Sequence, residues 1–113
     1  MLTNAYIVYT IDIRDIEEMI TFSWDDQKGE TNLKKHGVTF NEAKSVFYDD
    51  NARLKEDDEH SESENRFVLM GMSEKARILI VVHCHRETEK LLSIISARKA
   101  TKNESKAYRG FIK

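Results

Sequence analysis

The alternation of apolar and polar positions divides the chain into short pieces of two kinds. Ile20–Trp24 reads as a short strand. Ser23 or Asp25 can cap a helix running to about His36, where Gly37 suits the left-handed residue that closes a helix. That helix is polar nearly throughout, with Leu33 as its main apolar anchor. Thr39-Phe40-Asn41-Glu42 spells a capping box, and Phe40, Ala43, Val46 and Phe47 then recur at helical spacing until about Tyr48. Strand material follows. Ala52–Lys55 is short. Arg66–Met72 and Ile78–His85 are joined by the polar turn Ser73-Glu74-Lys75-Ala76, and Leu91–Arg98 is reached through Arg86-Glu87-Thr88-Glu89. Connections this short require antiparallel neighbours. Thr101-Lys102-Asn103-Glu104 is a second capping box, opening a helix on which Ala107, Tyr108, Phe111 and Ile112 share one face and Tyr108 is half-buried.

This order predicts an α+β domain: two N-terminal helices, an antiparallel sheet of three to five strands and a C-terminal helix. Strict alternation puts Leu92, Ile94, Ser96 and Arg98 on one largely apolar strand face, with Arg98 at the rim of the core. Residues 1–18 stand apart. Ala5–Ile13 is β-prone and an acidic stretch leads into Met19, a candidate natural start. The first eighteen residues are an extension, an edge strand or a flexible arm, and residues 19–113 form the domain proper.

Composition narrows the class. A chain of 113 residues supports one core. With 40% hydrophobic and 34% charged residues it suits a compact cytoplasmic protein. No apolar stretch approaches the ~20 residues that span a bilayer, and no basic leader precedes the apolar N-terminal residues, so neither a membrane span nor a signal peptide is expected. Cys84 stands alone, which rules out an internal disulfide and fits a reducing compartment. Gly29, Gly37, Gly71 and Gly110 are scattered and form no phosphate-binding loop. The net charge of −2 conceals an asymmetry. Glu56, Asp57, Asp58, Glu59, Glu62 and Glu64 crowd one short run, whereas Arg98, Lys99, Lys102, Lys106, Arg109 and Lys113 face only Glu104 at the other end. Such a basic end is either a solvated helix face or a grip on a polyanion.

Several segments together resemble one family. Phe22-Ser23-Trp24-Asp25 matches its opening, and Asn32-Leu33-Lys34-Lys35-His36-Gly37-Val38-Thr39-Phe40, with Glu42-Ala43 and Phe47, matches its most distinctive stretch. Arg66-Phe67 with Gly71, then Ile94-Ile95-Ser96-Ala97-Arg98-Lys99-Ala100-Thr101 with Glu104 and Tyr108, complete the set in order over about Ile20 to Phe111. The chain resembles the BrnT ribonuclease toxins of type II toxin–antitoxin systems. That resemblance implies a RelE-like fold and cleavage of RNA without a metal or other cofactor. It also implies neutralisation by a BrnA-like ribbon-helix-helix antitoxin, contact with operator DNA only through that antitoxin, and homo-oligomers within the complex. Residues 1–18 have no counterpart in the family pattern.

Metal-free RNA cleavage needs a base for the ribose 2′-OH, an acid for the leaving oxygen and cations around the phosphate. Lys35 and His36, in the strongest family segment, are candidate catalytic residues. Either also stabilises a helix C-terminus with no catalysis at all. Arg66 and Arg98 are candidate phosphate forks on rigid strands, their bland counterpart being surface arginines paired with acids. Candidate RNA-binding residues are Trp24, by stacking unless it is core, His83, and the basic Lys102, Lys106 and Arg109. His83-Cys84-His85 puts two imidazoles on one strand face, but zinc wants three or four ligands and no second cluster accompanies them, so no metal site is expected. His60 reads as solvated. Two other classes stay open: an inactive member that complexes an antitoxin and adjusts its DNA binding, and an unrelated nucleic-acid-binding module. Arrest of growth on expression separates an active toxin from the first of these.

Overall fold

The computed structural model describes residues 7–8, 21–57, 66–86 and 90–112. His60, most of the acidic run and Met19 lie outside them. The strands are β1 (Ile7–Val8), β2 (Thr21–Ser23), β3 (Arg53–Glu56), β4 (Arg66–Met72), β5 (Ile78–Arg86) and β6 (Leu91–Lys99). The helices are α1 (Asp26–His36), α2 (Phe40–Ser45), which continues into a 3-10 turn at Val46–Tyr48, and α3 (Lys102–Phe111).

The strands form one sheet in the order β1-β3-β4-β5-β6-β2. As the short connections require, β3, β4, β5 and β6 pair antiparallel in sequence, so the α+β expectation holds. β1 adds two antiparallel rungs to β3, and β2 runs parallel to β6, which makes the sheet mixed. Parallel pairing is possible there because both helices and three strands separate the two in sequence.

Helix ends follow local chemistry. Asp25 caps α1, its Oδ1 accepting from the backbone N–H of Gln27 at 2.8 Å and of Lys28 at 3.1 Å. Gly37 closes it with φ of 70°, and its N–H donates to Leu33 O at 2.8 Å. α3 carries a complete capping box, with Glu104 N donating to Thr101 Oγ1 and Thr101 N donating to Glu104 Oε1. At Thr39 only half the box forms. Thr39 Oγ1 accepts from Glu42 N at 3.0 Å, but the Glu42 carboxylate turns away to Arg77 and Ser73.

Two apolar clusters occupy opposite faces of the sheet. On one face α2 and the 3-10 turn bury Phe40, Ala43, Val46 and Phe47 against Leu69, Leu79, Val81, Leu92, Ile94 and Ala97. On the other, Tyr108 and Phe111 of α3 cover Met70, Ile78 and Ile80. Tyr108 is fully buried rather than half-buried, and its hydroxyl donates to Asp49 Oδ2 at 2.6 Å. Asp49 Oδ2 also accepts from Met72 N at 2.7 Å, which ties α3 to the turn beneath α2. Burial and this carboxylate push the Tyr108 hydroxyl well above its ordinary range. Gly71 is required by close approach: a Cβ there would lie 2.9 Å from Val46 Cγ1 and 3.1 Å from Ala52 Cβ.

One feature of β6 overturns strict alternation. Val82 pairs with Ser96 and His83 with Ile94, so Ile95 is an extra, bulged residue. The bulge shifts the side-chain period by one. Leu92 and Ile94 therefore face the helices α1 and α2, while Ser96 and Arg98 fall on the α3 face with their partners Val82 and Ile80. Arg98 is not the end of the apolar row that begins at Leu92.

Candidate functional site

Cross-strand register puts Arg66, Cys84 and Ser93 in one row over β4, β5 and β6, and Ser23 of β2 extends it. Ser23 Oγ and Ser93 Oγ share a hydrogen bond at 3.0 Å. This row floors a hollow of about 320 Å³ that is walled by Trp24, Asp25, Lys28 and Ile95. A second hollow, of about 430 Å³, adjoins it along α1 and is lined by Asp25, Gln27, Lys28, Thr31, Asn32, Lys35, His36, Ile95 and Ser96. The two share Asp25, Lys28 and the bulged Ile95. A larger hollow of about 500 Å³ lies elsewhere, around Asn41, Lys44, Tyr48, Asp49 and Glu74, and holds none of the candidate residues.

Lys35 and His36 thus line one hollow and Arg66 the other, with Lys28 common to both. Pattern reading missed Lys28. Its signal was present, because residues 28 and 35 are two turns apart and lie on one stripe of a helix.

Arg98 shares the sheet face of Arg66, since Arg98 pairs with Ile80, Ile80 with Met70, and Met70 lies four residues from Arg66 on β4. It lines neither hollow. Its guanidinium grips Glu104 with both arms, Nη1 to Oε1 at 2.8 Å and Nη2 to Oε2 at 3.0 Å. That fork holds the Glu104 carboxyl down at about 2. The expected joint grip of Arg66 and Arg98 on one phosphate is not formed in this arrangement.

Trp24 packs edge-on against Phe40, with centroids 6.1 Å apart, and also borders the hollow, so it is part core and part wall. His83 corrects its expectation as an RNA contact. Its surface is 2% exposed, on the face covered by helices, between Phe47 at 4.8 Å and Phe67 at 5.9 Å. Desolvation pushes its pKa down to about 3. Cys84 is buried beside Arg66 in the hollow's floor. Among the described residues no three His, Cys, Asp or Glu side chains gather in a metal-binding group. Lys102, Lys106 and Arg109 are exposed along α3.

Leu33, expected to anchor α1, is 46% exposed. The helix is held instead by Asn32, its one buried residue. Asn32 Nδ2 donates to Ala97 O at 2.8 Å and Val38 O at 2.9 Å, and Oδ1 accepts from Ala97 N at 3.1 Å. No helix among the described residues is long and apolar enough to cross a membrane.

Comparison with known proteins agrees with this frame. Residues 24–104 match the family model described as ribonuclease toxin, BrnT, of type II toxin-antitoxin system. The chain is similar to the crystal structure of the Brucella abortus ribonuclease toxin, BrnT, with a TM-score of 0.56 and 24% identity over 74% of this chain and 99% of that one. No curated protein matches it. The family segment takes in every residue that lines the two hollows except Ser23, and on that match the chain belongs to the BrnT family of ribonuclease toxins of type II toxin–antitoxin systems.

Proposed function

We propose that the chain is an endoribonuclease toxin that cleaves RNA without a metal and is neutralised by a ribbon-helix-helix antitoxin. The observation that carries this reading is the convergence of Lys28, Lys35, His36 and Arg66 on two adjoining hollows. An RNA strand supplies its own nucleophile. The 2′-OH attacks the adjacent phosphorus, its proton passes to a base, and the 5′ oxygen leaves with a proton from an acid. His36 is the group suited to acid–base work near neutral pH. Arg66, Lys28 and Lys35 surround the phosphate and offset the charge that builds up on it. Trp24 offers an aromatic face to an unpaired base. Arg98, engaged by Glu104, has no part in this scheme.

Incubation of the purified chain with total RNA in EDTA tests the reading. Loss of intact RNA is the expected result. Arg66→Ala should lower kcat/KM by about 10²–10³, and His36→Ala should remove one limb of the pH–rate profile. Intact RNA after prolonged incubation with the wild-type chain would leave the antitoxin-binding role of an inactive family member.

A further inference from the structure

We propose that Asn32 is a positioning residue of the nuclease site, a proposal that rests on the ribonuclease reading above. Among the described residues, β2 covers the outer edge of β6 at Leu91–Ser93. Beyond that point β6 turns its edge towards α1, and Asn32 fills the gap. Its carboxamide gives Ala97 both hydrogen bonds that a neighbouring strand would have given, one donated at 2.8 Å and one accepted at 3.1 Å. The second N–H reaches Val38 O at 2.9 Å and secures the chain just after the helix ends.

Apolar packing cannot do this work, because α1 buries no apolar residue and Leu33 points outward. A helix held by non-directional contacts can slide and roll by small amounts. Three directional bonds to two backbone sites 59 residues apart, at 38 and 97, fix both its height along β6 and its rotation. Lys28 lies one turn before Asn32, and Lys35 and His36 lie one turn after it. The opposite wall of their hollow is Ile95 and Ser96, the bulge and its neighbour, one or two residues from the clamped Ala97. The clamp therefore sets the spacing between the α1 cations and the β6 wall that they face. Misplacement by about 1 Å can cost on the order of 10² in rate, so loss of the clamp should slow chemistry more than it weakens binding.

The test uses the full chain with Asn32→Ala and Asn32→Gln, the latter keeping the amide but moving it one methylene out. Steady-state cleavage of a short single-stranded RNA is measured at a temperature where circular dichroism shows each variant folded. Both variants should lose at least about ten-fold in kcat with KM within about three-fold of wild type. Folded variants with kcat within two-fold of wild type would overturn the proposal. So would a failure of both to fold, since Asn32 would then serve the fold as a whole. An inactive wild-type chain overturns the ribonuclease reading instead, and is told apart because no variant comparison is then reached.

Discussion

The His83 imidazole lies edge-on to Phe47 and stacked against Phe67, where lost hydration lowers its pKa from the usual 6.5 to about 3. The folded chain keeps the ring neutral, whereas the unfolded chain binds a proton once the pH falls below about 6.5. Stability tied to His83 is thus fully present above pH 6.5 and is lost as the pH falls towards 3, by at most about 1.4 kcal/mol per pH unit. Glu104 is lowered too, from 4.5 to about 2, chiefly by its bonds to Arg98, so its contribution is present above pH 4.5 and is lost as the pH falls towards 2. The interval from about pH 5 to 6.5 separates His83 from Glu104. Urea melts should show stability falling across that interval, and His83→Phe should flatten the slope. A slope unchanged in that variant would assign it to other groups. Alternation in the sequence correctly set His83 apart from Cys84 on β5. It could not tell which face the helices would cover, because that is decided by how Phe40, Ala43, Val46 and Phe47 dock.

At the scale of elements, the helix caps at Asp25, Gly37 and Thr101 and the antiparallel β3–β6 run were legible, because each depends on residues close in sequence. What escaped were partners far apart. Glu42 read as a capping residue of its own helix. It is instead 1% exposed and bound by Arg77, whose Nε donates at 2.9 Å and whose Nη2 contacts the other carboxylate oxygen, with Ser73 Oγ donating at 2.7 Å. These bonds hold the Glu42 carboxyl below its ordinary range and fasten α2 to the β4–β5 turn. Arg77 Nη2 also donates to Gly37 O, which brings in the end of α1. Arg77→Ala leaves the buried Glu42 carboxylate with Ser73 as its hydrogen-bonding side chain among the described residues, and should cost roughly 3 kcal/mol in urea unfolding. The double change Glu42→Gln with Arg77→Met should cost less than the sum of the two single changes. Strict additivity would mean that the pair is not coupled. The bulge at Ile95 was likewise invisible, since nothing in Leu92–Arg98 marks where an extra residue enters. It misdirected the reading of Arg98.

For the whole molecule, the segment before residue 19 and the charge distribution raise separate questions. Among the described residues β1 gives β3 two rungs, Ile7 to Leu54 and Val8 to Arg53, at the sheet's edge, and the family match begins at residue 24. A chain starting at Met19 should keep its melting temperature to within a few degrees, whereas a fall of ten degrees or more would make β1 integral to the fold. The basic end is the larger matter. Lys102, Lys106 and Arg109 recur at spacings of four and three along α3, on one exposed stripe. α3 packs on the sheet face that also carries Ser96, Cys84 and Arg66. If RNA seated in the hollows also runs along this stripe, its contacts there are to phosphate and insensitive to sequence. Each phosphate contact with a single strand contributes about 0.7 to the slope of log affinity against log salt. Changing all three residues to Gln should then lower RNA affinity and reduce that slope by about 2, while kcat at saturating RNA stays within two-fold of wild type. The hollows keep their own cations, so chemistry and grip should separate. If the triple variant keeps the full salt slope, the basic stripe faces only solvent and the RNA leaves the hollows by another route.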